Sequence, residues 1–128
     1  MSSGGVNASI LDMAKYLSFL SRQDPEIISR DRLEDLWEIN IRTVEGRKYY
    51  KRWKGVKGTY YGMGFRILKY YDKELIYHGG FVNGYRGELA IDPTSGMGIV
   101  VLMNGTCDYS KEVVDHFYTS YFDRFGRG

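Results

Sequence analysis

His78-Gly79-Gly80-Phe81 is the stretch of this chain best suited to chemistry. An imidazole changes charge near neutral pH and can donate a hydrogen bond or carry a proton. Glycines let a ligand approach the backbone, and free N–H groups there can hold an oxyanion. Asn83, Tyr85 and Arg86 follow and could border a ligand cleft. On pattern alone, a bulge or turn with a surface histidine is the simpler reading, and for Tyr85 and Arg86 packing is an equal one. Glu88 and Asp92 read as strand and turn residues rather than a carboxylate pair. His78, His116 and Cys107 are the only soft metal ligands and lack metal-site spacing, so no metal or other cofactor is expected. His116 reads as a helix-flank residue. The run from Arg47 to Lys54 mixes cations with aromatics, a combination that could stack on bases and contact phosphates. A solvated excursion whose aromatics pack on the body is preferred there.

The elements that would hold these residues can be read in order. Ser9 can cap a helix, with Asp12 three residues on. Ile10, Met13, Ala14, Leu17 and Leu20 then recur at helical spacing, predicting a helix over 10–22 that Asp24-Pro25 ends. Ser29 is a second cap, opening a shorter helix over about 30–38. Residues 42–58 read as a polar, basic loop. From Tyr60 to Tyr71 the alternation of Met63, Phe65 and Ile67 predicts one strand. Asp72-Lys73 is a turn, and Glu74 to His78 the partner strand. Gly79-Gly80 and Gly84 bracket a tight connection. Strands at Gly87–Ile91 and Met97–Met103 flank a hairpin turn at Asp92-Pro93-Thr94-Ser95-Gly96. Ile99 to Met103 is apolar on both faces, which predicts a central strand covered on both sides. A last helix runs from Ser110 to Phe125, its apolar stripe formed by Val113, Val114, Phe117, Tyr118, Tyr121 and Phe125. The expected fold is α+β: an antiparallel sheet with helices packed on it.

Composition narrows the classes. With 128 residues, 43% hydrophobic and 27% charged, the chain suits one globular domain and not a disordered segment. The formal charge of +2 gives no general pull toward nucleic acid or membrane. No run reaches the roughly 18 apolar residues a membrane span needs. One cysteine excludes an internal disulfide and leaves the compartment undecided. Residues 1–7 are small and polar and form no signal peptide. An export signal, if the intact protein has one, is expected upstream.

Residues 77–105, YHGGFVNGYRGELAIDPTSGMGIVVLMNG, resemble the C-terminal part of the beta-lactamase-like, penicillin-recognising serine hydrolases. That family includes class C beta-lactamases, D-Ala-D-Ala carboxypeptidases and related esterases. GGVNASILDMAKYLSFL, near the start, and Tyr61-Gly62-Met63-Gly64-Phe65 are similar to family segments in the same order. The resemblance implies that His78, Gly79 and Gly80 stand at the third active-site motif, with Phe81 supplying an oxyanion-hole N–H. Here His replaces the lactamase Lys, and Gly79 replaces the usual Thr and removes a hydroxyl.

The family's nucleophile motif, Ser-x-x-Lys, is absent: no lysine here has a serine three residues before it. Nor does any asparagine follow a tyrosine by two, as Tyr-x-Asn requires. The expectation is a single segment, 1–128, forming the C-terminal part of such a domain without its N-terminal catalytic part. The intact protein would hydrolyse an amide or ester of a small molecule or peptide through an acyl-enzyme; relatives in the family are often exported to the periplasm or secreted, and the compartment of this protein stays open. The segment alone is expected to be inactive and to self-associate, swap an element or be only marginally stable, because the family's sheet is completed by an N-terminal strand and helix. The alternatives are a non-catalytic binding module on the same fold and a basic-aromatic nucleic-acid binder.

Overall fold

The computed structural model describes residues 4–21, 25–44, 46–105 and 107–126. Ser9 accepts a hydrogen bond from the Asp12 N–H and Asp12 accepts one from the Ser9 N–H, so the expected capping box opens α1, Ile10–Leu20. Ser21 ends it, while Arg22 and Asp24 lie outside the described residues. α2, Arg30–Leu36, starts after Ser29, whose side chain makes no cap bond. Six strands follow: β1 Ile41–Arg42, β2 Val56–Tyr61, β3 Arg66–Tyr70, β4 Lys73–Val82, β5 Tyr85–Ile91 and β6 Gly98–Met103. They pair antiparallel in chain order, β1 to β6. A short α3, Gly46–Tyr49, stands between β1 and β2. A 3-10 turn, Asp108–Lys111, leads into α4, Val113–Phe125.

The sheet is covered on both faces, which completes the expected α+β architecture. On one face Leu68, Tyr70, Leu75, Tyr77 and Ala90 meet Val114, Tyr118 and Phe122 of α4. On the other, Ile67, Ile76, Leu89 and Ile91 meet Leu20 of α1 and Leu33 of α2. Alternation along each strand divides the two sets. The Asp92 turn forms as expected: its carboxylate accepts from the Thr94 N–H and the Ser95 hydroxyl, and Gly96 takes φ 73°.

Four expectations need correction. The single strand over 60–71 is two, because the chain reverses at 62–65, where the Gly62 N–H donates to the Phe65 carbonyl and Gly64 takes φ 82°. Met63 lies on that turn, exposed, so the alternation that suggested one strand runs across a reversal. The excursion over 42–58, expected to be a loop, holds the end of β1, α3 and the start of β2, while its aromatics pack on the body as expected. Tyr50 and Trp53 are buried, and the Trp53 indole donates to the Lys111 carbonyl at 2.7 Å. Gly79 and Gly80 are not a connection but the continuation of β4, paired with Glu88 and Gly87. The turn lies at Asn83-Gly84, both in the left-handed region with φ 50° and 85°, where Asn-Gly favours a two-residue hairpin. Finally, β6 is not central but an edge strand. Its apolarity on both sides comes from helices. α1 packs along it, and the Tyr118 hydroxyl of α4 bonds the Met97 carbonyl just before it.

Candidate active-site cleft

β3 pairs with β4 only between Arg66↔Tyr77 and Tyr70↔Lys73, whereas β5 pairs with β4 as far as Val82. Residues 78–82 therefore have a strand partner on one side only among the described residues. A cleft of about 680 Å³ opens at this free edge. Gly79, Gly80 and Phe81 form its β4 side, Tyr61 and Arg66 the end where β3 stops, and Tyr49 and Arg86 its deeper wall.

The two glycines differ. A side chain at Gly80 would meet open space, whereas a Cβ at Gly79 would lie 2.8 Å from Glu88 Oε2 and 2.9 Å from Tyr77 Cζ. Tyr77, two residues earlier on the same face, leans over Gly79 and donates to Glu88. The Tyr77 hydroxyl, nearest of all, and the Glu88 carboxylate thus fill the space a side chain at 79 would need.

Beneath the cleft the polar groups form one cluster. Glu88 is 1% exposed and Arg86 8%. Arg86 Nε lies 2.6 Å from Glu88 Oε1. Arg86 Nη2 donates to the Tyr49 hydroxyl, and Tyr49 donates to Glu88 Oε1 at 3.3 Å. Burial pushes the Glu88 carboxyl above its usual range, while the bonds from Tyr77 and Arg86 pull it back. Burial, with the Glu88 charge second, pushes Tyr77 up, so its phenol stays a donor.

Of the residues singled out in the sequence, Gly79, Gly80, Phe81 and Arg86 line the cleft. His78 does not. It pairs with Leu89, and its side chain alternates to the face opposite Gly79. Burial and then Arg66 hold its imidazole below the usual value. Asn83 serves the turn, and Tyr85 is 66% exposed beside it. Tyr49, Arg66 and Glu88 were missed as site residues. For Glu88 a signal existed: a carboxylate two residues from Arg86 shares its face, within an otherwise apolar strand. Among the described residues no group of His, Cys, Asp and Glu could hold a metal ion.

Residues 2–119 match the family model described as Beta-lactamase. The chain belongs to the beta-lactamase-like serine hydrolase family. Neither the curated proteins nor the solved structures contain a match. In this beta-lactamase-like chain the residues resembling the third motif fall on β4, where its outer edge is free. Among the described residues no helix is long and apolar enough to cross a membrane.

Proposed function

We propose that this chain forms the C-terminal part of a serine hydrolase that cleaves an amide or ester through an acyl-enzyme. The observation carrying this reading is the free edge of β4 over 78–82, open to a cleft beside Gly80 and Phe81. An extended acyl or peptide group can add to such an edge as a further strand. The Phe81 N–H is assigned to the oxyanion, Arg86 to the substrate border, and His78 to the proton network reached from the opposite face. The nucleophile comes from outside these 128 residues, because Ser-x-x-Lys and Tyr-x-Asn are both missing. The chain alone then has no serine-dependent turnover. Gly79 offers no hydroxyl, which argues for a peptide or ester substrate over efficient beta-lactam hydrolysis.

A non-catalytic binding module is the second reading, and the same free edge favours it. The nucleic-acid reading loses its stacking platform, since Tyr50 and Trp53 pack edge-on against Tyr77. The unpaired edge of β6, free of charged residues from Gly98 to Met103, supports self-association of the chain. Intact-mass analysis after fluorophosphonate treatment tests the hydrolase reading. Labelling of a longer product of the gene, and not of this chain, is the expected result.

A further inference from the structure

β6 pairs with β5 and with no other strand among the described residues. The Asp92 N–H donates to the Met97 carbonyl at 2.8 Å, so these two residues face each other as a hydrogen-bonded pair. In an antiparallel ladder such pairs alternate with non-bonded ones. The register runs without a shift from Ile91↔Gly98 to Arg86↔Met103. Ile99, Val101 and Met103 therefore direct their backbone groups to β5, and Gly98, Val100 and Leu102 turn theirs outward to the free edge. No proline, charge or positive φ interrupts the strand. These are the features that normally blunt an edge.

Both covering helices leave an apolar flank on that side. Tyr70 of β3 bonds Asp115 and Thr119 on one flank of α4. With 3.6 residues per turn, Phe117 and Tyr121 lie on the other flank, toward β6, with their rings stacked. On the opposite face of the sheet Leu17 of α1 sits over Gly98, and Leu20 turns inward to Leu33 of α2. The remaining flank of α1 carries Leu11, Ala14 and Ser18, all exposed.

We propose that this edge receives β6 of a second copy of the chain, antiparallel, about a two-fold axis through Val100. This pairing rests on the self-association reading above and is independent of where the nucleophile lies. The absence of charge selects a second copy. Across a two-fold axis the same patch meets itself, so a charged residue near the centre would face its like. Gly98 to Met103 carries none. Joining outward groups to outward groups sets Val100 opposite Val100 and Gly98 opposite Leu102, and makes one continuous sheet. A stable interface buries roughly 1,200 Å² or more, so the helix flanks must join the strand. Ala14 and Ser18 leave room for two α1 helices to pack at about 8–10 Å.

Size exclusion with light scattering of the full chain is expected to give twice the 14.8 kDa mass at high concentration, falling to monomer on dilution. Val100→Pro removes an N–H that faces the free edge and none that serves β5, a place where an edge strand tolerates proline. It should keep the circular dichroism spectrum and raise the dimer dissociation constant roughly thirtyfold, for one hydrogen bond lost from each copy. In a Cys107→Ser background, Val100→Cys should form a disulfide-linked dimer on mild oxidation, since facing residues of a bonded pair stand about 5.5 Å apart. Leu102→Cys should not, because its own copy lies roughly 13 Å along the strands. A monomer at every concentration overturns self-association altogether. An oligomer in which Val100→Cys does not cross-link, or Leu102→Cys does, overturns this interface and leaves self-association standing. If Val100→Pro unfolds, the two cysteine variants decide alone.

Discussion

Replacing Arg86 by methionine should destabilise this chain out of proportion to the contacts removed. Glu88, 1% exposed, would keep its phenol partners but lose the cation it pairs with. Breaking a buried ion pair from one side typically costs about 3–5 kcal/mol, most of it the uncompensated charge. Against a typical domain stability of about 5–15 kcal/mol, that is a large fraction. Two features identify the cause. First, Arg86→Met with Glu88→Leu should recover most of the loss, to within about 1 kcal/mol of the parent, because an apolar pair of similar volume removes the desolvation cost. Second, the penalty should depend on pH. The Glu88 carboxyl is already raised by burial, and without Arg86 it rises further. A group whose folded value lies above its unfolded one favours the folded state at low pH and loses that contribution as pH rises through the folded value. The Arg86→Met deficit should therefore be small near pH 4 and full above neutrality. Urea unfolding of both variants and the parent at pH 4, 6 and 8, at one protein concentration, measures all of this. A deficit below about 1 kcal/mol at pH 8 would show that water reaches the pair and refute the reasoning.

Two further outcomes follow from the geometry. Asp92→Ala removes acceptors for the Thr94 N–H and the Ser95 hydroxyl, together with the 3.6 Å pair to Lys73, at a fully buried position. It should cost about 2–3 kcal/mol in urea unfolding, as expected for buried donors left without a charged acceptor. Val101→Lys places a charge in the middle of the β6 edge. If the chain self-associates there, light scattering after size exclusion should show the oligomer giving way to monomer at equal concentration; an unchanged oligomer moves the contact elsewhere.

Local signals were the most legible part of the fold. The Ser9–Asp12 box and the Asp92-Pro93 turn depend on neighbours in sequence and formed where expected, whereas the stripe of α4 formed with Phe122 in the core and Phe125, expected there, exposed. What sequence could not show was which side of the sheet covers what. β6 looked central because it is apolar on both faces, but the covering layers are α1 and α4 and, among the described residues, no strand lies beyond it. The packing of the excursion's aromatics on the body was expected and Tyr50 and Trp53 do so, but its strand and helix pieces were not expected, because their pairing depends on contacts distant in sequence. The candidate site was legible through Gly79, Gly80, Phe81 and Arg86, whose pattern carries the family likeness. Tyr49 and Arg66 reach the cleft because α3 ends and β3 begins there, and Glu88 lies buried beneath it on β5. Their roles follow from tertiary placement, which spacing along the chain does not encode.

The central proposal is that this chain supplies a cleft wall and not the nucleophile. Intact-mass spectrometry after incubation with a fluorophosphonate, and separately with a penicillin, tests it on this chain and on any longer product of the same gene. An adduct on the long form alone is the predicted result, whereas an adduct on a serine of this chain would contradict the account.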